Sequence, residues 1–325
     1  MEQSIKRIGI LTSGGDAPGM NAAIRGVVHA ALYHGIEVLG IYNGYRGLLN
    51  REVKVLTHAD VADVLTRGGT FLRTARCPEF VTPEGVEKAA ASVKALALDA
   101  LVVIGGDGSF RGALDLHGAG VPVIGIPGTI DNDIGCTEYT IGFDTAMNTA
   151  LDAIDKIRDT AYSHERCCII EVMGRHAGYI AYHTAIASGA EVMLLPEEEA
   201  NFEKQVAEPL KAWYARGKRD FIVVAAEGVD GLSELPAVIE KAIGIKPTYS
   251  MLGYIQRGGC PSLRDRSTAL RMGEFAVSSL LSGVNDAVVA EREGKIVTLP
   301  IKEALAMKTK LGNAEILSGK IITHG

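Results

Sequence analysis

The stretch Leu101-Val-Val-Ile-Gly-Gly-Asp-Gly-Ser109 places a short β-branched apolar run directly before a glycine-rich turn. The same order of features recurs after four other apolar runs, which begin at Ile8, Val123, Cys168 and Phe221. Continuous apolar strands that alternate with helices indicate parallel sheets covered on both faces. We therefore predict an α/β fold in which ligands bind beyond the carboxyl ends of the strands, where these turns lie.

Helical patterns and one hairpin pattern accompany these runs. Apolar spacing predicts a helix over Met20–Tyr33 that ends before Gly35, and a second helix over 144–158. Two short apolar runs, 287–290 and 295–298, are separated by a turn sequence and predict a β-hairpin.

The composition of the chain excludes several classes of protein. Its 325 residues suggest two domains or one large domain. Hydrophobic residues make up 47% and charged residues 22%, which excludes a disordered chain. The net charge of -6 argues against nucleic-acid binding, so any phosphate site must be local. The chain has 38 glycines among its 325 residues, a larger share than the average of roughly 7%. Many of these glycines form pairs after apolar runs.

The cysteines and the N-terminal region predict a cytoplasmic protein. The five cysteines form no CxxC motif, so free thiols are favoured over a disulfide framework or a zinc site. The first apolar run is too short for a signal peptide, and no run approaches the length of a membrane span. We therefore expect no membrane partner.

Two glycine loops are candidates for phosphate binding. The loop at 13–19 opens a helix, and its glycines suit either a phosphate site or a tight strand-to-helix turn. In the loop 105–109, Asp107 suits a Mg²⁺ ligand, although as an isolated feature it is favoured as a helix N-cap. Neither loop has the spacing of a dinucleotide fingerprint or a Walker A motif, which argues against an NAD-dependent dehydrogenase.

A third loop concentrates carboxylates at a strand end. In an extended segment Asp131 and Asp133 would face the same side, so one could hold a metal while the other accepts a proton from a hydroxyl. An Asx-rich turn is the alternative, but three such loops together favour an active site. Four arginines next to strand ends or glycine turns could supply counter-charge to phosphate: Arg76, Arg166, Arg175 and Arg257.

Together these motifs resemble those of bacterial ATP-dependent 6-phosphofructokinases. The resemblance extends from the N-terminus to about position 285, in the blocks LTSGGDAPGMNAAIRG (11–26), RGGTFLRTARCPEF (67–80), ALVVIGGDGS (100–109), PGTIDNDI (127–134), TIGFDTA (140–146), DKIRDTA (155–161), EVMGRHAG (171–178) and IQRGG (255–259). It implies two doubly wound α/β domains with mainly parallel sheets and an active site between them. The implied ATP-binding domain is 1–142 plus 256–306, and the sugar-phosphate domain is 143–255 plus 307–325. The resemblance also implies a homotetramer in which neighbouring subunits complete the ligand sites.

The resemblance assigns roles to residues of this chain. Asp131 would be the base that accepts the proton from the C1 hydroxyl of fructose 6-phosphate, with Arg175 and Thr129 as the other catalytic residues. Asp107 and Asp133 would hold Mg²⁺. The implied ATP site comprises Gly15, Arg76, Cys77, Gly106, Asp107, Gly108 and Ser109. The implied sugar-phosphate site comprises Thr129, Asp131, Arg166, Met173, Gly174, Arg175, Glu227, Thr248, Tyr254 and Arg257.

An effector site for ADP and phosphoenolpyruvate is also implied. Its residues are Arg25, His29, Arg158, Gly189, Glu191, Arg216, Lys218 and Arg219, although the sequence by itself favours a solvated loop for 216–219. Histidine replaces the usual arginine at His29, and also at His58 in the following segment. We therefore expect a weaker and more pH-dependent effector response, because histidine titrates near neutrality.

Departures from the family pattern bear on the substrates. Gly108 and Gly128 stand where pyrophosphate-using relatives carry Asp and Lys, which favours ATP as the donor. Thr248 and Tyr254 stand where the family usually has a basic residue and a histidine, so weaker sugar-phosphate binding is expected. The alternatives are a kinase of tagatose 6-phosphate or sedoheptulose 7-phosphate, and a catalytically weak regulatory subunit.

Overall fold

The computed structural model describes residues 5–324, with only the backbone at position 324. The described residues form two compact units. Unit 1 contains residues 5–130, 134–145 and 257–309, and unit 2 contains residues 131–133, 146–256 and 310–324. The expected domain boundaries after positions 142, 255 and 306, and the ligands assigned to each domain, stay predictions.

Strands and helices alternate along most of the chain. The strands are β1 (Arg7–Thr12), β2 (Glu37–Ile41), β3 (Val53–Leu56), β4 (Ala100–Gly105), β5 (Val123–Pro127), β6 (Cys167–Val172), β7 (Val192–Leu194), β8 (Phe221–Ala226), β9 (Thr248–Met251), β10 (Asp286–Arg292) and β11 (Lys295–Leu299). The α-helices are α1 (Met20–Tyr33), α2 (Gly44–Asn50), α3 (Pro83–Ala95), α4 (Asp107–Gly118), α5 (Phe143–His164), α6 (Tyr179–Ser188), α7 (Glu208–Ala215), α8 (Leu235–Ile243), α9 (Leu263–Leu281), α10 (Ile301–Ala306) and α11 (Asn313–His324).

Unit 1 is built on a seven-stranded sheet with the order β11-β10-β5-β4-β1-β2-β3. The central pairs are parallel, and the outer pairs β2–β3 and β10–β11 are antiparallel. All six residues of β4 are buried, as expected for a strand covered on both faces. The carboxyl ends of β1, β4 and β5 lie side by side, so the loops that follow them share one edge of this sheet.

Unit 2 is built on a four-stranded parallel sheet with the order β7-β8-β6-β9. Strand β6 is central, and the chain turns into α6 shortly after it. Strand β9 lies at the edge, where its burial is only partial. The loops that follow β6 and β8 therefore lie beside one another at the carboxyl edge.

The α/β fold with mainly parallel sheets is confirmed. All five apolar runs are strands, α1 has the expected bounds, and Gly35 beyond it has a φ of 72°. The hairpin near the end of the chain forms as β10 and β11. The helix expected over 144–158 is longer and spans Phe143–His164. None of the helices described between residues 5 and 324 is both long and apolar enough to cross a membrane.

Candidate active site

The loop after β1 leads directly into α1 without a side-chain cap. Gly19, the N-cap of α1, has a φ of 109°, and Gly14 has a φ of 86°. The hydroxyl of Thr74 donates to the Gly14 carbonyl over 2.8 Å, and the amide of Ser13 donates to the Ile104 carbonyl over 2.9 Å. These bonds hold the loop beside β4, and the uncapped start of α1 favours an anion.

The loop after β4 surrounds a buried hydroxyl. A Cβ added at Gly105 would lie 2.3 Å from Ser109 Oγ and 2.4 Å from the Ser13 carbonyl oxygen, so only glycine fits there. Ser109 Oγ is buried and has no hydrogen-bond partner among the described residues. A Cβ at Gly14 would lie 3.5 Å from the same hydroxyl. The two glycine loops therefore meet around a hydrogen-bonding group that a ligand oxygen can satisfy.

Asp107 is the first residue of α4 and not its cap. The N-cap is Gly106, and no side chain caps this helix end. The N-cap interpretation of Asp107 is therefore wrong, because the helix begins one residue too early for its carboxylate to bond the second or third helical amide. The carboxylate is partly exposed and lies in the first turn, where helix amides favour negative groups.

Two residues that the sequence patterns did not single out support these loops. The hydroxyl of buried Tyr45 donates to the Ser109 carbonyl over 2.6 Å, and its ring stacks on Phe80 at 4.0 Å. Burial raises the pKa of Tyr45 well above its ordinary value. Buried Asn21 bonds the carbonyls of Arg67 and Gly68 through Nδ2 and accepts from the Phe71 amide through Oδ1. Asn21 therefore fixes the segment that leads to the exposed Arg76 and the partly buried Cys77.

The loop after β5 is attached to β4 and to the segment before α5. The amide of Gly128 donates to the Gly105 carbonyl over 3.0 Å, and the hydroxyl of Thr140 donates to the Thr129 carbonyl over 2.8 Å. A Cβ at Gly106 would lie 4.0 Å from Thr129 Cβ. The structure thus places Thr129 in unit 1, beside the glycine loop of α4.

The next residues do not form an extended segment. Asn132 has a φ of 51°, in the left-handed region. Strand-like alternation, which would place Asp131 and Asp133 on the same side, requires extended backbone at the residue between them, and Asn132 does not meet that condition. Asp131 is 3% exposed, whereas Asp133 is partly exposed.

Asp265 is a buried carboxylate that the sequence patterns missed. It accepts hydrogen bonds from the Gly142 amide over 2.7 Å, from the amide and hydroxyl of Thr145, and from the hydroxyl of Tyr139. Burial raises the pKa of Asp265, and these hydrogen bonds oppose the shift. Asp265 therefore anchors the start of α5 and, through its neighbours, the loop that contains Thr129.

Unit 2 brings Asp131 and Arg175 together. Arg175 Nε lies 3.5 Å from Asp131 Oδ2, with the arginine side chain 62% exposed and the aspartate side chain 5% exposed. Arg175 follows β6 through Met173 and Gly174, which are both buried. Glu227, which follows β8, accepts from the Gly174 and Arg175 amides. A buried carboxylate at the end of a strand is thus paired with an exposed guanidinium.

The remaining residues expected at the sugar phosphate are more dispersed. Arg166 is exposed just before β6, and Tyr254 is 79% exposed. The hydroxyl of Thr248, on β9, donates to Cys168 Sγ over 3.0 Å. The guanidinium of Arg257 lies in unit 1, where its Cζ would be 3.4 Å from a Cβ added at Gly15. The structure therefore places Arg257 against the first glycine loop.

Part of the expected effector set forms a charged cluster in unit 2. The buried carboxylate of Glu191 accepts from the Ile222 amide over 2.7 Å, and it lies 2.9 Å from Lys218 Nζ and 3.9 Å from Arg158 Nη1. Gly189 ends α6 with a φ of 63°, and Arg158 donates to the adjacent Ser188 carbonyl. Arg216 and Arg219 lie over the rings of Trp213 and Tyr214 instead.

The other two effector residues lie on α1 in unit 1. Arg25 donates to the carbonyls of Val61 and Ala62, and the rings of His29 and His58 lie edge to face at 4.7 Å. The pKa of His29 is lowered from its ordinary value, first by burial and then by the charges of Arg25 and His58. His29 therefore becomes charged only at a lower pH than an ordinary histidine.

No group of three or more His, Cys, Asp or Glu side chains that could hold a metal is present between residues 5 and 324. The donor set nevertheless fits Mg²⁺, which proteins usually bind through one or two carboxylates together with substrate phosphate oxygens. Asp107 is such a carboxylate, and the partnerless Ser109 hydroxyl beside it suits a phosphate oxygen.

Comparisons with known proteins agree with these features. The family model described as Phosphofructokinase matches residues 7–280. The chain is 53% identical over 304 residues to an ATP-dependent 6-phosphofructokinase of Bacillus subtilis (strain 168), covering 94% of this chain and 95% of the relative. It is 51% identical over 319 residues to the protein of the same name from Clostridioides difficile (strain 630), covering 98% of this chain and 100% of the relative.

Solved structures share the fold. A phosphofructokinase structure from Saccharomyces cerevisiae has a TM-score of 0.88 and 31% identity, and the match covers 98% of this chain but 47% of the yeast chain. A pyrophosphate-dependent phosphofructokinase from Marinobacter aquaeolei has a TM-score of 0.82 at 24% identity, covering 95% of this chain and 86% of that chain. The second likeness concerns the fold alone.

Proposed function

The chain belongs to the phosphofructokinase family, and we propose that it transfers the γ-phosphoryl group of ATP to the C1 hydroxyl of fructose 6-phosphate. The product is fructose 1,6-bisphosphate, and the reaction is a step of glycolysis. The observation that carries the proposal is the pairing of buried Asp131 with Arg175 at the end of a parallel strand. This pairing places a proton acceptor beside a group that can neutralise a transferring phosphoryl group.

Unit 1 binds ATP in this proposal. The uncapped starts of α1 and α4 direct backbone amides outward, and the Ser109 hydroxyl between the two glycine loops bonds a phosphate oxygen. Gly108, where an added Cβ meets nothing within 4 Å, leaves room for a nucleotide, which supports ATP over pyrophosphate. Arg76 and Cys77 complete this site at the end of the segment held by Asn21.

Unit 2 supplies the chemistry at the acceptor. Asp131 accepts the proton of the C1 hydroxyl as that oxygen attacks phosphorus, and Arg175 neutralises charge on the transferring group. The two side chains carry opposite charges in this proposal, and their closest atoms lie 3.5 Å apart. Met173, Gly174, Glu227 and Arg166 orient the sugar phosphate around the same strand ends.

Mg²⁺ bound at Asp107, with Asp133 as a second carboxylate, would neutralise phosphate charge when ATP is present. We also propose that the chain forms a homotetramer. A reducing, cytoplasmic compartment is proposed as well, and the free thiols of all five cysteines support it. ADP and phosphoenolpyruvate act as effectors in this proposal, and the basic cluster around Glu191 supports an anion site.

A coupled assay of ADP release tests the function and its substrate. Fructose 6-phosphate, tagatose 6-phosphate and sedoheptulose 7-phosphate are compared as acceptors, and pyrophosphate replaces ATP in a parallel series. We expect the highest kcat/KM with fructose 6-phosphate and ATP. A preference for another acceptor would support the alternative raised by Thr248 and Tyr254, and no turnover with any acceptor would support a regulatory subunit.

A further inference from the structure

The turn after β6 is held by side chains from two other segments of unit 2. The Met173 amide donates to Gln256 Oε1 over 2.9 Å. The next two amides, of Gly174 and Arg175, both donate to Glu227 Oε1, over 3.2 and 2.8 Å. Three consecutive backbone donors are therefore satisfied by side-chain oxygens, where a continuing strand or helix would satisfy them with carbonyls.

This turn has a backbone conformation that needs support. Arg175 has a φ of 54°, which residues with a Cβ rarely adopt, and the preceding Gly174 has a φ of 141°. The segment after β8 is pressed against it, because a Cβ added at Gly228 would lie 2.0 Å from the Arg175 carbonyl oxygen. The two acceptors compensate for a conformation that the turn does not favour by itself.

The side chain of Gln256 is suited to holding the Met173 amide, and its described contacts indicate no other role. Gln256 is fully buried. Its Oε1 faces the Met173 amide, because only the oxygen of a side-chain amide accepts a hydrogen bond. Its Nε2 is buried without a partner among the described residues. Burial of an amide with only part of its hydrogen bonds formed is unfavourable. The hydrogen bond to Met173 is therefore the structural contribution of the Gln256 side chain that the described residues identify.

We propose that Gln256 is a positioning residue for Arg175, acting through the Met173 amide together with Glu227. The held turn directs Arg175 Nε to within 3.5 Å of Asp131 Oδ2. Loss of the Gln256 acceptor frees the turn to relax and moves the guanidinium away from the reacting groups, while the ATP loops of unit 1 are unchanged. The inference rests on the proposed function, since Arg175 is taken as the group that neutralises the transferring phosphoryl.

The test is a double-mutant cycle with Gln256→Met and Arg175→Ala, measured by ADP release at saturating ATP. Gln256→Met should lower kcat about 30-fold, as small misplacements of catalytic groups do. In the Arg175→Ala background the same substitution should change kcat less than about twofold, because the two residues act as one unit. Gln205→Met is the matched control, since Gln205 Oε1 also accepts a backbone amide, that of Asn201, in unit 2. It should keep the kcat of the original chain.

Two results would overturn the inference. One is an unchanged kcat in Gln256→Met, and the other is an equal loss in both backgrounds, which would mean that Gln256 does not act through Arg175. If the original chain itself releases no ADP with any sugar phosphate, the proposed function and the inference fail together. Activity in the original chain with an unaffected Gln256→Met variant rejects only the inference.

Gln256→Glu keeps the inference testable if the methionine variant does not fold. Glutamate keeps the Oε1 acceptor, and a buried carboxyl group is readily protonated, so the variant remains closest to the original side chain at mildly acidic pH. Its kcat relative to the original chain should rise as pH falls from about 8 to about 6. A folded variant whose relative kcat is low at every pH would contradict the positioning role.

Discussion

The two units present their candidate phosphate-binding loops in different ways. In unit 1 the loops after β1 and β4 are rich in glycine, and they lead into helix starts beside the buried Ser109 hydroxyl. In unit 2 the loop after β6 presents charged side chains, and other side chains hold its backbone. The arrangement in unit 1 depends on glycines that have no side chain, and the arrangement in unit 2 depends on particular charged side chains.

This difference predicts opposite sensitivities. Adding a methyl group should damage the loops of unit 1, where a Cβ at Gly105 would lie 2.3 Å from Ser109 Oγ. Removing a functional group should damage unit 2, where Asp131 and Arg175 carry the charges. The substitutions below test both halves of the comparison.

Asp131→Asn should have the largest effect. The amide keeps the size of the buried side chain but does not accept the hydroxyl proton, so kcat should fall about 10³-fold. ATP binding, measured by calorimetry, should stay within about twofold, because the loops proposed to bind ATP belong to unit 1. Retention of more than a tenth of kcat would remove Asp131 from the role of base.

Gly105→Ala tests the other half of the comparison. The added methyl group would overlap Ser109 Oγ and the Ser13 carbonyl, so the KM for ATP should rise at least about tenfold and Tm should fall by several degrees. Gly118→Ala, at the end of helix α4 with open space around it, is the control. It should keep the ATP KM and slightly raise Tm. Equal behaviour of the two variants would contradict the idea that the turn after β4 has no room for a side chain at Gly105.

The fold was largely predictable from local sequence. Continuous apolar runs followed by glycine identify the buried strands, because a strand covered on both faces has no polar side to alternate with. Strands β2 and β3 were harder to recognise, since they lie toward one edge of the sheet and β3 is only partly buried. The extension of α5 to His164 was also missed, because its last turns are polar and carry little apolar periodicity.

The site was predictable at the level of loops and not of contacts. Motifs placed Asp131, Arg175 and Ser109 near strand ends, but strand-like alternation does not apply to Asp131 and Asp133, since Asn132 is left-handed. Asn21 and Gln256 lie inside recognisable motifs, yet their partners are distant along the chain. Tertiary packing decides such hydrogen bonds, so neighbouring residues along the sequence carry no signal for them.

Thr248→Arg tests the sugar-phosphate contact that is expected in unit 2. The family usually has a basic residue at this position, and an exposed guanidinium at the edge strand β9 would restore a phosphate contact. The KM for fructose 6-phosphate should fall about tenfold with kcat nearly unchanged, as for a uniform binding interaction. Tyr254→His is a second test of the same expected contact, and an unchanged KM in both variants would indicate that Thr248 and Tyr254 do not limit sugar-phosphate binding.

The smallest expected effect concerns the effector response proposed for His29, on α1 of unit 1. The pKa of His29 is lowered by burial and by the charges of Arg25 and His58, so the side chain gains charge at a lower pH than an ordinary histidine. ADP activation, measured as the concentration for half-maximal effect, should therefore strengthen about threefold between about pH 7.5 and pH 6. His29→Arg should remove most of this dependence, because arginine stays charged throughout. His34→Arg adds the same charge just beyond α1 and should leave the pH dependence intact. A strong effect of ADP that does not change with pH in the original chain would show that the histidines contribute no charge to the proposed effector site.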